Sequence, residues 1–200
     1  MKCLNIFSII SIWALLFFIF TGCIQDISVE IPPHLPADNH GELAAIPAQK
    51  ICLKDIKDIR ILDRAEGTRE AAFGVHMSTV EFYPSVEDIF KDVIKAEFQR
   101  AGHTLVSGVQ PITLSATVLA FDVATDTTPL YWDIIGKAMI ELKIKRADLK
   151  ETKHNYSSMC QERTYIFPSG ELIQKVMKCC IADFAHKLRN DPKLAQAIRN

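Results

Sequence analysis

Hydrophobic and polar residues divide the chain into three regimes. From Leu4 to Phe20 no side chain is charged, and Ile, Leu, Phe and Trp dominate. From Ile24 to about Gln49 no period is visible, and Pro32, Pro33, Pro36 and Pro47 interrupt the chain. From Lys50 onward short periodic segments follow one another, which marks a folded domain over 50–200. Ile51 and Leu53 alternate with Cys52 and Lys54, predicting a first strand. The charge-rich stretch Asp55–Glu70 reads as loop. Phe73, Val75 and Met77 alternate with Gly74, His76 and Ser78, predicting a second strand. A helix follows: Val86, Ile89, Phe90, Val93, Ile94, Phe98 and Ala101 recur at helical spacing. Ser85 caps it, Glu87 and Asp88 suit its first turn, and Gly102 ends it.

Three strands come next. Ile112, Leu114, Ala116 and Val118 alternate with hydroxyl residues, and Asp122–Pro129 reads as a turn. Trp132, Ile134, Ala138, Ile140, Leu142 and Ile144 then fall on one face, opposite Asp133, Lys137, Glu141, Lys143 and Lys145. That pattern suits a half-exposed antiparallel strand. A polar turn around Asp148–Asn155 leads to a strand over Tyr156–Phe167. Ser169 caps a second helix whose apolar face is Ile173, Val176, Met177, Cys180, Ile181, Phe184 and Leu188. Pro192 stops it, and Lys193–Arg199 can form a short terminal helix. The expected class is α+β: an antiparallel sheet of about five strands with two amphipathic helices on one face, order β-β-α-β-β-β-α.

The front of the chain has a different purpose. Lys2, the apolar run and the small residues after it form a secretory signal pattern. Phe20-Thr21-Gly22-Cys23 resembles the lipobox of bacterial lipoproteins, although Phe20 stands where Leu is usual. The resemblance implies cleavage between Gly22 and Cys23, removal of residues 1–22, and lipid on Cys23. The competing reading is an uncleaved membrane helix, because the run approaches the ~17–25 residues that span a bilayer. Ile24 and Gln25 after the cysteine imply, within that resemblance, sorting to the outer membrane with the domain facing the periplasm. Residues 23–49 would then be an extended tether of roughly 3.1 Å per residue. His34 and His40 are expected to be solvated within it.

Charge and cysteines narrow the function. Removing the signal takes away only Lys2 and leaves 22 basic against 24 acidic residues. Near-neutrality without a basic block argues against nucleic acid as the partner. Beyond Cys23 the cysteines are Cys52, Cys160, Cys179 and Cys180, in a compartment that permits disulfides. Cys179 and Cys180 point about 100° apart on a helix, which disfavours a bond between them. The candidate bridge joins Cys160 to Cys179 or to Cys180, and buried free thiols are the alternative. No CxxC and no His pair at i, i+4 occurs, so neither a metal nor another cofactor is expected. No nucleophile elbow, metalloprotease or nucleotide-binding motif occurs either, so no enzyme is expected. His103 and Asp133 read as structural, and Glu162 and Arg163 as pairing across the sheet.

The layout of lipobox, Pro-rich tether and alternating elements resembles the YajG-like family of bacterial lipoproteins. The local cues are Glu97-Phe98-Gln99-Arg100-Ala101-Gly102-His103 and Pro168-Ser169-Gly170-Glu171, within Ser85–His103, Trp132–Arg146 and Gln161–Asn190. The resemblance implies no catalytic residues. The expected function is a non-enzymatic envelope protein, lipid-anchored to the membrane, that binds another envelope component through its sheet face or an edge. The alternative is an auxiliary lipoprotein of an ABC-type lipid transport system, since these share a similar element order. An apolar groove would favour lipid handling, and a polar flat sheet would favour a protein partner.

Overall fold

The computed structural model describes residues 26–33, 41–60, 67–71, 75–148 and 151–199, so Gly22, Cys23 and the signal lie outside the described residues. Strict alternation of apolar and polar residues builds the two longest strands, β6 (Ile112–Thr127) and β7 (Trp132–Arg146). They pair antiparallel along their whole length, from Ile112↔Arg146 to Thr127↔Trp132. β8 (Glu151–Thr164) pairs antiparallel with β7 on the far side. The other side of β6 is shared by two strands. β2 (Lys50–Asp58) runs parallel to its first half, and β3 (Gly67–Ala71) runs parallel to residues 123–124. β5 (Thr104–Val106) extends the sheet beyond β2, while β4 (Val75–Tyr83) and β1 (Ile27–Glu30) extend it beyond β3. Helices α1 (Val86–Arg100) and α2 (Gly170–Arg189) lie on one face, and α3 (Pro192–Arg199) follows.

The α+β class agrees with the sequence reading, but several details are corrected. The sheet has eight strands among the described residues and is mixed, with β1–β4, β2–β5, β2–β6 and β3–β6 parallel. Among the described residues there are three helices, the two expected amphipathic ones and a short one over Pro192–Arg199, in keeping with the terminal helix that Lys193–Arg199 can form. The stretch expected as loop over Asp55–Glu70 contains the end of β2 and most of β3. The expected turn over Asp122–Pro129 is strand to Thr127, and the expected turn over Asp148–Asn155 gives way to β8 from Glu151. Strands of three to five residues show too few alternations to register as a period. Pairing direction leaves no local trace at all.

The tether reading changes most. Ile27–Glu30 is a strand of the sheet, Val29 and Ile31 are buried, and Leu43 is completely buried. Leu43 N–H also donates to the Arg189 carbonyl at the end of α2. Single apolar residues between prolines carry no repeat, so the sequence pattern passes over them. Their burial nevertheless outweighs the extended preference that the prolines impose.

Under the helices the core is a run of edge-to-face rings, Phe82–Phe121–Phe90–Phe184–Tyr156, with centroids 5.0–5.6 Å apart. Both long helices start as the sequence predicts: Ser85 Oγ accepts from Asp88 N–H, and Ser169 Oγ from Leu172 N–H. Gly136 on β7 lets α2 approach, since a Cβ there would sit 2.7 Å from Val176 Cγ1 and 2.9 Å from Met177 Sδ.

Candidate functional site

Both long helices cover one face of β6–β8, and no described element packs on the other. That open face carries most of the polar positions of these strands, interspersed with Ile135, Met139 and the exposed Met159. Glu141 pairs with Lys143 at 3.1 Å and with Lys153 at 3.6 Å. Arg163 makes a two-pronged bond to Asp133, at 2.7 and 2.8 Å, across the β7–β8 pair. The hydrogen bonds from Arg163 hold the Asp133 carboxyl below the usual carboxylate range, against a smaller penalty for burial. Glu162 does not join this ladder; it faces the helices and meets Lys175 of α2 at 2.9 Å. Asp122 stands opposite Lys137, where burial pushes its carboxyl up more than Lys137 and Arg60 pull it down.

One polar side chain completes the sheet itself. β2 leaves β6 at Val118 and β3 joins it at Val123, and among the described residues no strand pairs with this side of β6 between them. Arg60 Nη1 donates to the Phe121 carbonyl in that gap at 2.7 Å. Asp58 holds the guanidinium from the other side through both carboxylate oxygens. Burial raises the Asp58 carboxyl, and the hydrogen bonds and charge of Arg60 more than reverse it.

The cysteines divide by helix face. Cys160 on β8 is joined to Cys179 on the outer side of α2 by a disulfide with Cα atoms 6.1 Å apart. Cys180 belongs to the apolar stripe and stays a free buried thiol, as does Cys52. The bridge ties the edge strand to the helix above it.

The remaining titratable clusters hold the fold. Asp191 Oδ2 accepts from Tyr156 Oη at 2.8 Å and faces His154 Nδ1 at 3.1 Å, while its Oδ1 accepts from two backbone N–H groups of α3. Burial raises this carboxyl, but its four partners lower it further. A carboxylate so fully engaged is a helix cap rather than a general base. His103, 3% exposed, is a clasp. Its Nδ1 accepts from Gln49 N–H at 3.2 Å, which leaves the proton on Nε2 to donate to the Leu43 carbonyl at 3.1 Å.

Burial holds His103 below its ordinary pKa of 6.5, despite the opposing Leu43 bond. A depressed folded-state pKa means that the unfolded chain takes up the proton first as pH falls. The clasp therefore contributes fully above pH 6.5 and weakens progressively below it. Thermal unfolding between pH 7.5 and 5.5 should show a falling midpoint in the native protein and a shallower fall in His103→Gln. Parallel slopes would show that other groups govern this range.

Two grooves adjoin these elements. The apolar one, about 230 Å³, lies between the end of β1 and α1 and is bordered by Ile31, Pro33, Tyr83, Ile89 and Val93. It falls short of the ~300–1,000 Å³ typical of ligand clefts. The other, about 440 Å³, is a wide, open depression beside Asn155, Ser157, Lys187 and Asp191.

The structure thus joins Cys160 to Cys179, one of the two pairings left open, and gives His103 and Asp133, expected to be structural, structural partners. Sequence reasoning missed Arg60 and the buried pair of Glu97 with Arg189, which meet at 2.9 Å between α1 and α2. A signal for Glu97 existed: it occupies the apolar stripe of α1, one turn after Val93 and Ile94.

Comparison with known proteins gives these features a context. No curated protein matches the chain in sequence. Among solved structures it is similar to a Xanthomonas campestris protein, with a TM-score of 0.57 at 10% identity over 82% of this chain and 93% of that one. That likeness concerns the fold. Similarity also extends to a Neisseria meningitidis lipoprotein (TM-score 0.35, 14% identity, 66% and 94% covered). A minor lipoprotein of Acinetobacter baumannii is a further match (TM-score 0.41, 10% identity, 70% and 88% covered). A family model described as "uncharacterized lipoprotein" matches residues 64–199, in keeping with the YajG-like resemblance. With more than half of its length matched, the chain belongs to this family of lipoproteins.

Proposed function

We propose that this lipoprotein is anchored to the outer membrane by lipid on Cys23, faces the periplasm, and holds another envelope protein on the open face of β6–β8. The observation that carries the reading is that face: it is broad, uncovered by any described element and lined by short-range charge pairs. Such surfaces set register and exclude wrong partners more than they supply affinity. A binding rather than enzymatic role is supported by the engagement of Asp191, His103 and Asp133 in holding structure.

The test is crosslinking in intact cells. A photoreactive side chain replacing exposed Lys153, on the open face, should yield a discrete protein adduct, whereas one replacing Lys91, on the outer side of α1, should not. Equal adducts at both positions, or none at Lys153, would sink the reading. Recovery of an inner-membrane permease subunit would turn it into the transporter-subunit alternative. In the same cells Cys23→Ser should abolish palmitate labelling; undiminished labelling refutes the anchor.

A further inference from the structure

Ile59, Val109 and Met159 are exposed apolar residues scattered singly over the molecule, which is ordinary. At one end of the sheet such residues gather. The β6–β7 turn and the loop after β8 meet there, because Thr127 pairs with Trp132 and Trp132 with Thr164. Leu130, Tyr165 and Ile166 stand 77%, 74% and 75% exposed. Tyr165 packs edge-on to Tyr131 with centroids 6.4 Å apart, and Phe167 packs edge-on to Trp132 at 6.0 Å. Neither loop is slack. Thr128 Oγ1 accepts from the N–H groups of Leu130 and Tyr131, and Thr164 Oγ1 from that of Ile166. Rigid turns therefore hold an apolar, aromatic tip out into solvent, and a contiguous patch of this kind marks a contact surface.

The chain direction says what it meets. β1 is parallel to β4, β4 antiparallel to β3, and β3 parallel to β6. Walking back along β1 from Glu30 to Ile27 therefore leads toward the end of β6 that carries the tip. Gly170, three residues after Phe167, lies against this strand: a Cβ there would be 3.3 Å from Ile27 Cγ2. Asp26, which accepts from Thr79 N–H, is only three residues from Cys23. Three residues span about 10 Å at full extension. Any lipid on Cys23 is thus held on the same side of the domain as Leu130, Tyr165 and Ile166.

We propose that this tip rests in the headgroup region of the bilayer that carries the Cys23 lipid, so that the domain stands end-on with its strands upright. The proposal rests on the lipid anchoring put forward above. Tyr suits such a place, with an apolar ring and a hydroxyl that stays wet. The charged groups around the tip include Asp26, Asp126, the paired Asp133 and Arg163, and the buried Arg69, whose guanidinium lies 4.6 Å over the Phe167 ring, so no basic cluster faces the bilayer. Docking therefore depends on apolar insertion and not on anionic lipid. End-on docking also turns the open sheet face sideways, clear of the membrane and available to a partner.

The test uses the full chain, matured in cells and reconstituted into phosphatidylcholine vesicles containing doxyl-labelled lipid. A fluorophore is placed on Ile166→Cys or, as the control, on Val109→Cys, fully exposed at the opposite end of β6. Cys52 and Cys180 are buried and Cys160 is bonded to Cys179, so the new thiol takes the dye. Quenching is expected at position 166, absent at 109, and unchanged by high salt. Leu130→Glu should lower the docked-to-undocked ratio at least about tenfold. If mass spectrometry finds lipid on Cys23 while position 166 is quenched no more than 109, the docking is refuted and the anchor stands. If Cys23 carries no lipid, the anchor itself fails and the docking with it.

Discussion

Glu97→Ala is expected to lower the stability of the domain by about 3–5 kcal/mol, the loss typical when one member of a buried ion pair is removed. Glu97 is 1% exposed and Arg189 only 13%, and the two share bonds of 2.9 and 3.3 Å. Arg189 cannot shed its charge to adapt. Its backbone carbonyl also receives Leu43 N–H, and Gly41 packs on its side chain, where a Cβ would come within 2.6 Å of Cγ. One arginine thus gathers α1, the end of α2 and the 41–46 turn. Replacing both partners, Glu97→Met with Arg189→Met, removes the stranded charge and should restore much of the loss. Urea unfolding followed by circular dichroism measures each step. A loss below about 1 kcal/mol for Glu97→Ala, the range of exposed pairs, would show that water already reaches the guanidinium.

The second large effect concerns the bridge. Cys160→Ser with Cys179→Ser should destabilise the domain by about 3 kcal/mol, the chain-entropy value for closing a loop of this size, since the cysteines are 19 residues apart. The unfolded chain gains most of that freedom, because β8 and α2 stay neighbours through Glu162–Lys175 and Lys187 on the Ser157 carbonyl. Cys180 does not compete for the bond. Burial pushes its thiol up to about 11, so little thiolate exists to attack the neighbouring disulfide. Among Cys52, Cys160, Cys179 and Cys180, alkylation of the unreduced protein, unfolded in the presence of the alkylating agent, should label Cys52 and Cys180 and spare the other two. Label on Cys160, or equal stability with and without reductant, would contradict the pairing.

What was legible in the sequence follows from period and length. α1, α2, β7 and the first half of β6 each repeat their pattern over several turns or pairs, and their faces emerge as expected down to the caps at Ser85 and Ser169; past the register shift after Val118 the alternation of β6 changes phase, and that half reads as a turn. β1, β3 and β5 are too short to declare themselves and are recruited by long-range pairing. The same holds for Leu43, a single apolar residue in a polar context. The disulfide choice was half-legible: Cys180 lies in the apolar stripe of α2 and Cys179 beside it, but that β8 would form the sheet edge under Cys179 depends on strand order. The aromatic tip was invisible for another reason. Leu130 and Tyr131 follow the expected turn over Asp122–Pro129, whereas Tyr165 falls inside the expected strand Tyr156–Phe167, which in the structure ends at Thr164; only the hairpin register brings them together.

The gap bridged by Arg60 makes the sheet a jointed one. β2 and β5 on one side, and β3, β4 and β1 on the other, meet through β6, and among the described residues a side chain rather than a strand lies between them. Cooperative units in proteins open with separate free energies where few backbone bonds link them. Amides of the two halves are then free to exchange with solvent on different timescales, with β6 and β7 as the slow spine. A partner gripping the β7–β8 face would leave the half that leads to the N-terminus free to breathe.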